Sequence, residues 1–428
     1  MKSYFSKISS INGGISLPGD KSISHRSLLF SALAEGTSTI KNLLDSEDIQ
    51  TTRQCLQELG VKIKQKDKTY FVEGIGKNGF KEPKNPLYCG NSGTTTRLIS
   101  GILAAQNFPT VLTGDDSLSK RPMKRVIEPL TQMGCNFESN EKQTLPLKIF
   151  PSGKINSIDY HLKVASAQVK GAILLAGLHS EDITSVTEDT LITRDHTERM
   201  LNLSSKKADG RKITKVSVAN YPKRSDFLVP GDFSTAAFFI VLGLIVQDSH
   251  LVLNNVSLNK TRIFLIDILK KMGGNITIEE KGQSNYEPYG DIQIRNSKLK
   301  NIEINKKLIP GIIDEIPILS IAGIFAEDDF EIRGAEELRV KESDRIKSVT
   351  SNIEKTGLKV KEYEDGFAVT GKMNNECCNF ESYGDHRIAM AFAVLSCLVD
   401  QGGEVNDFEC AAVSNPHFIK QLESIKSR

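Results

Sequence analysis

The apolar residues gather six times into helix-length runs, each entered through a short polar turn. The first, LPGDKSISHRSLLFSALAEG from residue 17, recurs at 229 as VPGDFSTAAFFIVLGLIVQD, with the same Pro-Gly-Asp-x-Ser entry to an apolar helix. A β-rich segment follows each copy, TSTIKNLL at 37 and SHLVLNNV at 249. Each then runs into a second helix ending in Leu or Met plus Gly, within TTRQCLQELG and TRIFLIDILKKMG. Looser copies open at GNSGTTTRLISGILA (90), VASAQVKGAILLAGL (164), IDEIPILSIAGIFAE (313) and YGDHRIAMAFAVLSCL (383). The pattern predicts six helix–strand–helix units starting near 20, 91, 165, 232, 314 and 385, with further strands such as VKIKQKDKTYFVEG between them. Their spacing is too long and uneven for a solenoid, so two similar α/β domains of three units each fit better. A Pro-Gly before each strong copy marks a crossing point between lobes. The expected division is an inserted lobe over 19–231 and a discontinuous lobe of 1–18 with 232–428, with the active site in the cleft between them.

Composition narrows the function classes. The 428 residues are 39% hydrophobic and 25% charged with 14 prolines, the balance of a globular protein. A formal charge of +2 supplies no basic field for nucleic acid or membrane, so any cationic site must be local. The longest apolar stretch, Phe233 to Val246, is too short to span a bilayer, and MKSYFSKISS has no apolar core, so a cytoplasmic protein is expected. Seven cysteines without CxxC spacing read as reduced thiols, and seven histidines without ligand spacing suggest no metal. GIGKNG, Gly74 to Gly79, imitates a dinucleotide fingerprint, but Pro83 and Pro86 forbid the helix it would have to open, so it reads as a turn.

Chemistry-bearing residues recur at one register of the units, at or just before the first helical turn. They are Lys21, Ser22 and Arg26; Asn91, Gly93, Thr94 and Arg97; Ser166, Gln168 and Lys170; Asp314; and His386 with Arg387. A second group lies between strand and second helix: Arg121 in LSKRPMKR, Arg194 in TRDHTE, and Lys341, Glu342 and Arg345 in RVKESDR. Helix N-termini, hydroxyls, close-approach glycine and added cations together make an anion site. So many cations exceed what one phosphate needs and indicate a substrate or substrate pair with several negative charges. Cations in a first turn oppose the helix dipole, and the copy at 229 has Phe233 and Phe238 where the first has Lys21 and Arg26. That assigns the cations to ligand rather than to fold. Asp314 and Glu342 are the acids in this basic set: either could accept a proton, and Glu342 or Lys21 could deliver one. The bland alternative is a charged helix face, with Glu342 and Arg345 paired at i, i+3.

LPGDKSISHRSLLFSALAEGTS, GNSGTTTRL, LTGDDSLSKRPM, SAQVKGAILLAGL, IDEIPILSIA, ELRVKESDR and GDHRIAMAFAV stand in the order found in the 5-enolpyruvylshikimate-3-phosphate synthases, and the chain resembles that family from about residue 12 to 417. The resemblance implies two lobes of three βαβαββ units each, and transfer of the enolpyruvyl group of phosphoenolpyruvate to the 5-hydroxyl of shikimate 3-phosphate with release of phosphate. It implies no cofactor and a monomer. By motif match, Lys21, Ser22, Arg26, Ser166, Ala167, Gln168, Arg194, Asp314 and Lys341 would hold shikimate 3-phosphate. Lys21, Asn91, Gly93, Arg121, Gln168, Arg345, His386 and Arg387 would hold phosphoenolpyruvate. Asp314 would be the base on the attacking hydroxyl and Glu342 the proton donor, with Lys21 in the same machinery. SAQVK, RDHTE and Asn259-Lys260-Thr261-Arg262 look like the branch that tolerates glyphosate, although Gly93 is the ordinary glycine, so weak inhibition is implied. The nearest rival, an enolpyruvyl transferase acting on a UDP-sugar, usually has a cysteine on the loop occupied here by GDDSLSKRPM. A non-catalytic anion-binding homologue would need the cations but not the embedded acids.

Overall fold

The computed structural model describes residues 2–189, 193–374 and 377–426. Among these, the strands form six small sheets, one for each repeated unit. Four share a plan of two parallel strands followed by an antiparallel hairpin. Leu87–Tyr88 lies parallel to Thr110–Thr113, which pairs antiparallel with Leu147–Phe150 and through it with Asn136–Glu138. Asp159–His161, Thr184–Glu188, Arg211–Val216 and Ser205–Ala208 repeat the arrangement. In these two sheets the helix between the parallel strands is one of the apolar runs.

Those runs form the helices Lys21–Leu33, Gly93–Leu103, Ala167–Gly177, Phe233–Ile245, Ile316–Ile324 and His386–Leu398. Residues without a polar face cannot lie on a surface, and every residue from Ile23 to Leu33 and from Phe233 to Leu244 is buried. The polar entries start them. Asp20 accepts from Ile23 N at 2.9 Å, Ser92 from Thr95 N at 3.2 Å and Ser166 from Val169 N at 3.4 Å. Asp232 accepts from Thr235 N at 2.7 Å and Asp385 from Arg387 N at 2.8 Å. Each bond satisfies an orphan N–H and stabilises its helix by about 1 kcal/mol. In the Pro-Gly-Asp entry the glycine is a steric necessity, since a Cβ on Gly19 would lie 2.0 Å from the carbonyl oxygen of Asn42.

The chain forms two compact units, each with its own hydrophobic core. One comprises 1–18, 230–282 and 288–428; the other comprises 19–229 and 283–287. The two strong copies exchange strands. Ile11–Ser16, which precedes the Lys21 helix, pairs parallel with Ser249–Ser257, which follows the Phe233 helix. Asp226–Leu228, which precedes the Phe233 helix, pairs parallel with Glu35–Lys41, which follows the Lys21 helix. The recurrent Pro-Gly is therefore where each copy's first strand ends in one unit and its helix begins in the other. The short segment 283–287 is the tip between strands Asn275–Ser284 and Glu287–Arg295. It is tied into the second unit by Asn285 Nδ2 donating to Ser225 Oγ at 2.6 Å and by Glu287 against His196 Nδ1 at 2.9 Å. The strand Thr69–Ile75 runs out at GIGKNG, and no helix follows over 76–86.

Candidate active site

In the unit built on 19–229, the starts of the three core helices carry one polar set. Asn91 and Arg121 join the turn before the Gly93–Leu103 helix to the loop after the Thr110–Thr113 strand, with Arg121 Nη2 donating to Asn91 Oδ1 at 2.9 Å and Asn91 Nδ2 to Asp115 Oδ2 at 2.7 Å. Arg97 Nη1 donates to Gln168 Oε1 at 2.6 Å, and Gln168 Nε2 to Thr94 Oγ1 at 2.9 Å, which ties the Gly93 helix to the Ala167 helix. Gly93 lies under these cations. A Cβ there would stand 2.6 Å from Arg97 Nη1, which would have to move, and in ordinary contact with Arg121 Nη1 at 3.5 Å. Lys21 Nζ lies 2.5 Å from Asp48 Oδ2, and Ser22, Ser166, Ala167 and Arg194 are half-buried.

Three cations or potential cations of the same register are used inside the unit. Arg26 is buried, donating from Nε to Thr197 Oγ1 at 2.8 Å and from Nη1 to Ser22 O at 2.9 Å, and so braces the turn that carries Lys21 and Ser22. Its pKa falls to about 10, chiefly through burial. His25 is buried against Thr52 Oγ1 at 2.7 Å, and burial lowers it to about 3, so it is a neutral core residue at pH 7. Lys170 is wholly buried with its Nζ 2.7 Å from Glu188 and 2.6 Å from Glu198, which removes it from the anion-binding group in which its sequence register places it. Lys170 is thus not among the cations of this register that face a ligand.

The other unit gathers a more compact charge cluster. Arg345, with its side chain 1% exposed, donates to Asp385 Oδ2 at 2.8 Å, Asp314 Oδ1 at 3.1 Å and Glu342 Oε2 at 2.7 Å. Burial works against its charge, but Asp385, Glu342 and Asp314 overcome that and hold the guanidinium above its ordinary pKa. Asp385 is likewise buried, which disfavours its charge, yet Arg345 and His386 keep its carboxyl below the usual range. Arg387 Nη1 donates to Asp314 O at 3.0 Å, and its Nη2 lies 3.6 Å from Asp314 Oδ2. Two carboxylates, Asp314 and Glu342, thus share one buried guanidinium and turn partly to solvent, while Lys341 is half-buried beside them. The i, i+3 pair of Glu342 with Arg345 exists, but Glu342 precedes the helix Arg345–Glu354, so it is a loop residue held by a helix-starting arginine. Asp48, beside Lys21, and Glu315, 3.6 Å from Arg387 Nη1, complete these sets and carry no sequence signal of their own, whereas Asp385 has one as the acid of a third Gly-Asp entry.

Fold and site point first to a class. The chain matches the enolpyruvyl transferase NikO from Streptomyces tendae with a TM-score of 0.73 over 99% of this chain and 96% of that one; at 12% identity this is a likeness of fold alone. The narrower likeness is to EPSP synthases. A solved EPSP synthase from Acinetobacter baumannii matches with a TM-score of 0.88 and 40% identity, covering 99% of this chain and 98% of that one. The 3-phosphoshikimate 1-carboxyvinyltransferases of Petrotoga mobilis and Carboxydothermus hydrogenoformans are each 46% identical, covering 100% and 99% of both chains respectively. The family model for EPSP synthase (3-phosphoshikimate 1-carboxyvinyltransferase) matches residues 5–422. The chain belongs to the EPSP synthase family.

Proposed function

We propose that the two sets serve one reaction, transfer of the enolpyruvyl group of phosphoenolpyruvate to the 5-hydroxyl of shikimate 3-phosphate with release of phosphate. The observation that carries this reading is the sharing of Arg345 by Asp314 and Glu342, which fixes a base and an acid on one support. The attacking hydroxyl must lose a proton, and Asp314 takes it. Protonation of the methylene carbon makes the neighbouring carbon electrophilic, and Glu342 in its protonated form supplies that proton. Since the vinyl group survives transfer, the methyl carbon then returns a proton to the Glu342 carboxylate as the C–O bond to phosphate breaks. Lys21 and the guanidinium groups stabilise the phosphate as it leaves.

Shikimate 3-phosphate falls to Lys21, Ser22, Arg26, Ser166, Ala167, Gln168, Arg194, Asp314 and Lys341. Phosphoenolpyruvate falls to Lys21, Asn91, Gly93, Arg121, Gln168, Arg345, His386 and Arg387. Both substrates carry a phosphate and a carboxylate, which accounts for the number of cations. This reading requires the two units to meet on the substrates. It also makes the chain a cytoplasmic monomer without a cofactor. The SAQVK, RDHTE and NKTR stretches support weak inhibition by glyphosate. No helix among the described residues is long and apolar enough to cross a membrane.

The test is a coupled assay: purified protein should release phosphate only when both substrates are present, and no release would sink the reading. A second expectation concerns Gly93. Gly93→Ala should raise KM for phosphoenolpyruvate by about tenfold while moving KM for shikimate 3-phosphate by less than about threefold, since the methyl group occupies the space at Gly93 and displaces Arg97. Equal changes in both constants, measured by steady-state kinetics, would contradict the assignment of Gly93 to phosphoenolpyruvate.

A further inference from the structure

Five of the six core helices are capped by the side chain that precedes them, and one is not. Glu315 occupies the cap position of Ile316–Ile324, makes no hydrogen bond to that helix's N–H groups, and is 1% exposed. Its carboxylate turns away to two other elements. Oε1 accepts from Ser234 Oγ at 2.5 Å and lies 3.6 Å from Arg387 Nη1. Ser234 in turn accepts from Arg262 Nη2 at 2.6 Å, and Arg262 Nη2 lies 3.9 Å from Glu315 Oε1. Glu315 Oε2 makes no hydrogen bond among the described residues.

Arg262 reaches this position through its own turn. Asn259 Oδ1 accepts from Thr261 N at 2.9 Å and Thr261 Oγ1 at 2.8 Å, and Asn259 O accepts from Arg262 N at 2.8 Å. This is the Asn259-Lys260-Thr261-Arg262 stretch, to which the reaction itself assigns no role. Ser234 occupies in its repeat the place that Ser22 holds in the first, so a hydroxyl that faces a ligand in one copy is turned inward in the other.

A buried ion pair contributes little to stability over an apolar substitute, so this one needs a reason beyond the fold. We infer that Glu315, held in place by Arg262 through Ser234, is a positioning residue that orients Arg387 toward anionic substrate. This rests on the assignment of Arg387 to phosphoenolpyruvate above. Arg387 has a side chain 13% exposed and is fixed on one edge by Asp314 O and Glu315, so its fork is presented in one orientation rather than many. Neither Glu315 nor Arg262 needs to touch the substrate for this.

The test is kinetic. Ser234→Ala, Glu315→Gln and the paired variant Arg262→Met/Glu315→Gln, which removes both buried charges together and so keeps the unit folded, are compared with Arg387→Gln. Glu315→Gln and the paired variant should raise KM for phosphoenolpyruvate at least about tenfold, with KM for shikimate 3-phosphate within about twofold. Ser234→Ala should move the same constant by about threefold or more. Adding Glu315→Gln to Arg387→Gln should give no further rise. A merely structural role would raise both KM values together or lower only the melting temperature, and either result overturns the inference. If Arg387→Gln raises KM for phosphoenolpyruvate but the Glu315 variants do not, the inference alone fails; if Arg387→Gln has no effect, the assignment of Arg387 fails and takes the inference with it.

Discussion

Asp314→Asn should cut turnover at least about a hundredfold while leaving shikimate 3-phosphate binding within about tenfold. The amide keeps an oxygen for Arg345 Nη1, now at 3.1 Å, and the backbone carbonyl still accepts from Arg387 at 3.0 Å, so the cluster's geometry survives. Arg345 also remains compensated by Asp385 and Glu342. What disappears is the group that accepts the hydroxyl proton. Direct binding of shikimate 3-phosphate, measured by calorimetry alongside steady-state turnover, separates the two effects. Turnover that survives the change would move the base to Glu342 or Lys21. Binding lost in step with turnover would make Asp314 a cap on Arg345 and Arg387 rather than a base.

The fold was legible because its signal is dense and repeated. The helices Lys21–Leu33 and Phe233–Ile245 are buried along nearly their whole length, and an Asp in each entry announces where they begin. The pairing of short strands is a different matter. Nothing in the local pattern of Lys2–Phe5 indicates that it pairs antiparallel with Gly403–Asn406, or in Ile11–Ser16 that it pairs across to Ser249–Ser257. Those partners are chosen by tertiary packing, which acts on segments too short to carry a register of their own. At the site, recurrence of register picked out Lys21, Arg121, Asp314, Arg345 and Arg387. It could not separate Lys21 from Lys170. Both are lysines near the start of an apolar helix, but one is half-buried beside Asp48 while the other is wholly enclosed by Glu188 and Glu198. In a helix buried all round, periodicity does not tell which face meets a ligand.

Lys170→Met should therefore cost stability, not only activity. Removing the ammonium leaves Glu188, 2% exposed, without its lysine, and Glu198, 4% exposed, with only Lys212 at 3.3 Å, and losing one partner of such a buried set costs about 3–5 kcal/mol. Burial alone would lower the Lys170 pKa, but Glu198 and Glu188 more than reverse this and hold it above the ordinary lysine value. Because the folded value lies above the unfolded one, of about 10.4, the stabilisation is complete below that pH and is lost only as pH rises through the folded value. The gap in urea midpoints between wild type and variant should consequently be constant through neutral pH and narrow only as pH rises through the folded lysine value. Function should follow the same network. Glu188 Oε1 also accepts from Thr193 N at 3.0 Å and from Thr193 Oγ1 at 2.6 Å, next to Arg194. Without its ion pair to Lys170, Glu188 is held less firmly against that turn, so KM for shikimate 3-phosphate should rise in the variant. A loss below about 1 kcal/mol at pH 8, with an unchanged denaturant slope, would mean that the three charges are solvated by relaxation of the unit and that the buried network does not define its stability.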